Sequence, residues 1–264
     1  MLELKGIRKT FFPGTVNEKV ALKDVDLVLN DGDFVTVIGG NGAGKSTLLN
    51  AIAGTWRLDC GQVLIDGVDV TRLPEHKRAK FLGRVFQDPM MGTAKEMEIE
   101  ENLALAARRG KRRGLKWRIT RAERERYREI LADLDLGLET RMTAKVGLLS
   151  GGQRQAVTLL MATLATPKLL LLDEHTAALD PKTAAKVLEI TDRIINRDQL
   201  TTLMITHNMK DALAHGNRLI MMHEGRVVVD VRGEEKAKLT VEDLLALFAK
   251  ASGSEFASDR AMLS

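Results

Sequence analysis

Gly39-Gly40-Asn41-Gly42-Ala43-Gly44-Lys45-Ser46-Thr47 is the stretch that decides the fold. Its spacing is G-x-x-x-x-G-K-[ST], a loop whose backbone amides converge on phosphate oxygens. Side chains at the glycines would block that approach. Before the loop stands Phe34 to Ile38, a continuous apolar run of the kind found in a strand buried on both faces. After it, Lys45 to Ala53 reads as a helix, so the loop delivers an anion to a helix N-terminus, where unpaired amides and the helix dipole favour it. Lys45 supplies a point charge for β- and γ-phosphates, and the Ser46 hydroxyl suits Mg2+. Strand, glycine loop and helix in this order predict an α/β architecture.

Upstream, Leu2 to Arg8 and Val20 to Leu29 read as strands; Val25, Leu27 and Leu29 alternate with polar residues, as in a sheet with one wet face. Downstream, Gln62 to Ile65 and Leu82 to Phe86 are further strands. From about Glu96 to Ala165 the pattern turns helical. Within it Ala122 to Leu134 carries charge on one side and Ile130, Leu131 and Leu134 on the other. Leu169 to Leu172 then predicts a buried strand, Lys182 to Asn196 a helix and Thr201 to Thr206 a strand. A hairpin follows, Leu219 to Met222 and Val227 to Val229 around Glu224-Gly225. Thr240, with Asp243 three residues on, starts a last helix to about Lys250. The chain reads as an α/β core interrupted by a helical insert.

Composition excludes several classes. No apolar run in the 264 residues approaches the roughly 20 needed for a membrane-spanning helix, and MLELKGIRKT has no apolar core of a secretory signal. A soluble, cytoplasmic protein is expected. The single cysteine, Cys60, has no internal disulfide partner and reads as a packing or turn residue. Net charge is +4, yet Arg108 to Arg128 alone holds 11 Lys/Arg against 2 Asp/Glu, leaving 29 basic and 34 acidic residues elsewhere. Basicity confined to one stretch is no argument for nucleic acid, and none is expected. That stretch reads as a solvated face or as a contact for anionic headgroups or an acidic patch on a membrane partner. Trp56 and Trp117 read as packing residues.

Two further segments carry chemistry. Leu169-Leu170-Leu171-Leu172-Asp173-Glu174 ends a buried strand in two acids; Asp173 suits a Mg2+ held at the phosphate loop, and Glu174 can orient and deprotonate an attacking water. Leu149-Ser150-Gly151-Gly152-Gln153 opens the helix running to Ala165. Ser150 with Gln153 is a capping box. A plain cap needs no pair of glycines, each costing helix stability, whereas bare amides at a helix start suit a phosphate. The two readings are compatible.

The phosphate loop, Ser150-Gly151-Gly152-Gln153 and Asp173-Glu174, in this order, resemble an ABC ATPase, in which LSGGQ is the signature motif. The resemblance spans about Leu2 to Val231. It implies a P-loop NTPase (RecA-like) core over 1–88 and 165–235, with an N-terminal antiparallel β subdomain and an inserted α-helical subdomain over 89–164. Together these make an ATPase domain over 1–235, followed by a short helix and tail over 236–264. By resemblance, Gln87 matches the Q-loop, which senses Mg2+ and the membrane partner. Ala178-Leu179-Asp180 matches the D-loop, and His207 the histidine that contacts the γ-phosphate. Phe11, with Phe12 as the alternative, takes the place of the aromatic that stacks on adenine. His175-Thr176-Ala177 departs from the family's frequent Pro-Thr-Ser, and His175 reads as a surface replacement. Asp180-Pro181 remains a sound helix start, an N-cap acid before a proline.

The resemblance also implies a head-to-tail pair of copies holding two ATP molecules, each between the loop of one copy and Ser150 to Gln153 of the other. It implies ATP and Mg2+ as cofactors, Asp173, Ser46 and Gln87 on the metal side, and separate membrane permease subunits. A substrate-binding protein and a position on the inner face of the membrane go with an importer, the reading preferred over export. The alternative from another class is a soluble, non-transport ABC ATPase of the iron–sulfur assembly kind.

Overall fold

A computed structural model describes residues 1–111 and 119–252. They form two compact units, one made of Met1–Arg78 with the chain from Gln199 onward, the other of Ala79–Asp198. The first opens with β1 (Leu2–Phe11), β2 (Lys19–Leu29), β3 (Phe34–Ile38), α1 (Lys45–Ala53), β4 (Cys60–Ile65), β5 (Val68–Asp69) and α2 (Glu75–Arg78). The second holds β6 (Leu82–Val85), α3 (Ile99–Ala107), α4 (Arg121–Ala132), α5 (Gly151–Thr163), β7 (Leu169–Asp173) and α6 (Pro181–Asp198). The chain then returns to the first unit with β8 (Thr202–Ile205), α7 (Met209–Ala214), β9 (Arg218–His223), β10 (Arg226–Arg232), α8 (Gly233–Lys238) and α9 (Val241–Ser252).

In the first unit β2, β1, β4 and β5 form an antiparallel sheet in that order. The alternation in β2 settles its face: Val25, Leu27 and Leu29 are buried, while Val28 between them is exposed. All five residues of β3 are buried, because it lies between β8 and β9 and runs parallel to both. β10 closes antiparallel on β9. α9 packs into a cluster with Ile38, Leu219 and Met221 through Leu244, with Phe248 at its margin.

α1 is held at its C-terminal end. That end meets Arg78, which is 2% exposed and whose guanidinium donates to the carbonyls of Ala51 and Ile52, both at 2.8 Å. The same side chain donates to Leu73 O and Thr71 O, each at 2.9 Å. The last carbonyls of a helix lack partners within it, and a cation there complements the dipole.

In the second unit β6 and β7 pair in parallel, Val85 opposite Leu172. The expected helical stretch is interrupted: Glu98 with Glu101 caps α3, Thr120 with Glu123 caps α4, and Ser150 with Gln153 caps α5. α5 packs against α3, α6 and β6. Of the basic stretch, Arg109 donates to Ala162 O at 2.7 Å, and Arg124 chelates Glu100 with two bonds of 2.7 Å. Its described arginines are thus partly spent inside the unit and are not only a solvated face. Trp117 lies outside the described residues, as do the other members of the stretch between 112 and 118.

Candidate functional site

The loop after β3 is shaped by its own contacts. Gly39 and Gly44 have φ of 150° and 102°. A Cβ on Gly39 would lie 2.2 Å from Met222 O, and one on Gly44 2.5 Å from Ala21 O. Both positions exclude a side chain on packing grounds alone. The loop is further tied to the turn between β9 and β10, where Gly225 N donates to Ala43 O at 2.9 Å. Lys45, 5% exposed, lies along the loop, with Nζ donating to Gly39 O at 2.7 Å and Gly40 O at 3.2 Å. Asn41, Gly42 and Ser46 are exposed, Thr47 is half-buried and Ala43 is buried.

α1 has neither a side-chain cap nor an acid in its first turn. The helix itself therefore supplies no anion to these amides and their dipole, and a phosphate group fits this end of the helix. β8 runs parallel to β3, with Val37 opposite Ile205, so His207 emerges at the same edge of the sheet as the loop. It is exposed, and its neighbour Asn208 caps α7. At the far end of the antiparallel sheet, Phe11 is half-buried, with Trp56 edge-on at 5.4 Å and Lys9 Nζ 5.5 Å from its ring centre. Trp56 is 42% exposed, so it packs with only part of its surface. Phe12 has a left-handed backbone and is 66% exposed. Cys60 is exposed at the start of β4.

In the second unit the paired ends of β6 and β7 bring Gln87, Asp173 and Glu174 to one edge. Gln87 is exposed in the bend after Phe86. Arg84 approaches Asp173 at 3.7 Å and lies over the Phe86 ring at 4.4 Å. Glu174 has φ of 48°, a left-handed conformation uncommon outside glycine.

The start of α5 is both capped and accessible. Ser150 Oγ accepts from Gln153 N at 3.3 Å, and Gln153 Oε1 accepts from Ser150 N at 3.2 Å. That box occupies the first and fourth amides, and the two between them belong to Gly151 and Gly152. Ser150 and Gly151 are exposed, whereas Gly152 is buried. Arg154 braces the preceding loop through the carbonyls of Val146, Gly147 and Leu149. The start of α5 lies beside the segment Leu179 to Thr183: a Cβ on Gly151 would meet Leu179 Cδ2 at 3.2 Å. Asp180 is exposed and its carboxylate accepts from Thr183 N at 3.1 Å, capping α6 as its sequence predicts.

One reading is corrected. His175 is not on the surface: it is 2% exposed and bonded to Thr191 at 3.1 Å. A histidine between Glu174 and Thr176 gives no local sign of burial, because its partner stands a further sixteen residues along the chain, inside α6.

Residues 22–177 match a family described as ABC transporter. The chain belongs to the ABC transporter family. It is similar to the tyrosine transport ATP-binding protein of Clostridioides difficile (strain R20291), with 47% identity over 249 residues, covering 94% of this chain and 98% of that one. It is 33% identical over 230 residues to the spermidine/putrescine import ATP-binding protein PotA of Shigella flexneri serotype 5b (strain 8401) and spans 56% of that protein's length. Among solved structures, it resembles the dimeric, post-hydrolysis ATP-binding cassette MJ0796 bound to ADP and Pi, with TM-score 0.75, 30% identity and 88% of this chain and 98% of that one covered. The ADP form of cassette MJ1267 matches with TM-score 0.76 and 28% identity over 97% of this chain and 99% of the other.

The ABC transporter fold is the expected P-loop NTPase type with an antiparallel subdomain and a helical insert. The chain is an ABC ATPase that binds and hydrolyses ATP to energise a transporter. Among the described residues no helix is long and apolar enough to cross a membrane. Motif reading overlooked several residues beside the candidate site. Arg84 carried the signal of a charge inside an apolar strand. Lys19 Nζ would lie 3.3 Å from a Cβ on Gly42, and Phe248 Cζ 3.5 Å from one on Gly40. Neither of these had any local signal.

Proposed function

We propose that this ABC ATPase drives an importer with separate membrane subunits, working as a head-to-tail pair of copies. In this reading ATP is held by Gly39 to Thr47 of one copy and by Ser150 to Gln153 of its mate, with Phe11 against the base. The uncapped, acid-free start of α1, with Lys45 laid along its loop, carries the reading. The dimeric cassette MJ0796 supports the pair. Exposure of Ser150 and Gly151 supports their reaching a second copy.

Glu174 takes the proton of the attacking water and His207 holds the γ-phosphate side. Magnesium belongs to the same proposal, because Ser46, Gln87 and Asp173 carry the oxygen atoms that such an ion takes alongside substrate phosphates. Among the described residues no cluster of three or more acids, histidines or cysteines is placed to bind a metal without such help. The ATPase domain is assigned to 1–235. The protein sits on the cytoplasmic face of the membrane through its permease partner, which works with a substrate-binding protein. The likeness to the tyrosine transport ATP-binding protein of Clostridioides difficile makes tyrosine the first cargo to test, and the PotA relatives support import.

The test is Glu174→Gln. Turnover should fall by about 100-fold or more, and ATP should drive the variant into a stable dimer by size-exclusion chromatography. Near-normal hydrolysis would remove Glu174 as the base. A monomer with ATP bound would overturn the shared site. Loss of tyrosine uptake in cells carrying Lys45→Ala tests the cargo.

A further inference from the structure

Thr191 is a hydroxyl among apolar neighbours. It is 0% exposed within α6, on the face that buries Val187, Leu188, Ile194 and Ile195. Its Oγ1 donates to Val187 O at 2.8 Å, which uses its only proton. His175 Nε2 lies 3.1 Å from that same oxygen. With the hydroxyl proton committed, the ring is the donor, so His175 carries hydrogen on Nε2.

This pin sits one peptide beyond Glu174. A left-handed backbone is unfavourable for a non-glycine residue, and it persists only where its surroundings over-determine it. On the amino side of Glu174 the chain is fixed by β7. On the carboxyl side Glu174 O accepts from Ala177 N at 3.0 Å, and the His175 ring is fastened to α6. Stability alone does not call for this arrangement. Two apolar side chains would fill the same dry space without a polar pair to satisfy, and such swaps are close to neutral. What a satisfied polar pair adds in a core is a unique orientation.

We propose that His175 is a positioning residue: its Nε2–H bond to Thr191 locks the left-handed peptide that aims the Glu174 carboxylate. The inference rests on Glu174 being the hydrolytic base. Thr191→Val removes the acceptor at nearly constant volume, His175→Leu removes the donor, and His175→Gln keeps an amide N–H at the same reach.

The experiment measures steady-state hydrolysis and equilibrium ATP binding on the full chain, at a temperature where circular dichroism shows each variant folded. Thr191→Val and His175→Leu should each lower kcat by about tenfold, while ATP affinity stays within about twofold. The double variant should be no slower than either single one, and His175→Gln should recover most of the rate. If Thr191→Val and His175→Leu hydrolyse ATP at the normal rate while Glu174→Gln is inactive, the pin has no positioning role. Full turnover by Glu174→Gln would sink the base assignment and this inference with it. Should His175→Leu fail to fold, Thr191→Val and His175→Gln still decide.

Discussion

Thr183 Cγ2 occupies the space that a side chain on Gly152 would need, because a Cβ built on that glycine falls 2.1 Å from it. Thr183 N also donates to Asp180 at 3.1 Å, so one residue joins the start of α5 to the cap of α6. The second glycine of the signature is therefore claimed by packing, whatever it does for phosphate.

Gly152→Ala should destabilise the protein by about 1–3 kcal/mol through that clash and abolish turnover. Thr183→Ser deletes the offending methyl and keeps the hydroxyl and the amide. In that background Gly152→Ala should regain its urea midpoint without regaining ATP hydrolysis. Recovery of both together would make Gly152 a packing glycine only.

The side chain of Thr183, followed by its amide, holds the Asp180 carboxyl below its ordinary value of 3.8. A depressed folded-state value means stability that is present above the unfolded value and lost as pH falls through the folded one. Denaturation midpoints should therefore drop below about pH 4, and Asp180→Ala should flatten that drop. Parallel pH profiles for the two proteins would show that this bond contributes nothing measurable.

Arg78 serves four carbonyls with one planar fork, an arrangement that a lysine ammonium cannot reproduce. Arg78→Met should cost about 3 kcal/mol by removing the donors to those carbonyls, of which Ala51 O keeps only the 3.3 Å bond from Gly54 N, and Arg78→Lys should recover little of it. Urea unfolding measures both. A loss under about 0.5 kcal/mol in Arg78→Met would mean that water replaces the guanidinium.

The loop glycines should rank by geometry. Gly39→Ala meets a carbonyl at 2.2 Å in a left-handed backbone, whereas a Cβ on Gly40 meets Phe248 at 3.5 Å, an ordinary contact. Gly39→Ala should lose ATP binding, and Gly40→Ala should bind within about tenfold of the parent. Equal loss in an equilibrium binding titration would place the fault in ligand contact and not in loop shape.

Elements that announce themselves locally were legible. β3 and α1 have their expected limits, because a continuous apolar run and a phosphate-loop helix leave little freedom. β1 runs to Phe11, beyond the expected Arg8, since Thr10 and Phe11 pair with Val20 and Lys19 without being apolar enough together to show it. β5, α2, α7 and α8 span two to six residues, too few to display a period. The strand ends bearing Asp173 and His207 were readable from sequence, while the groups behind them were not. Nothing around His175 or Arg78 signals that its partners lie sixteen residues later or twenty-six residues earlier.

The tie between Ala43 and Gly225 sets an order of events during synthesis. The strands flanking β3 are also contributed by residues beyond 200. A nascent chain displaying the lysine loop still lacks the backbone that gives it shape until most of the message has been translated. Competence to grip a triphosphate is therefore acquired late, after the signature helix has already left the ribosome.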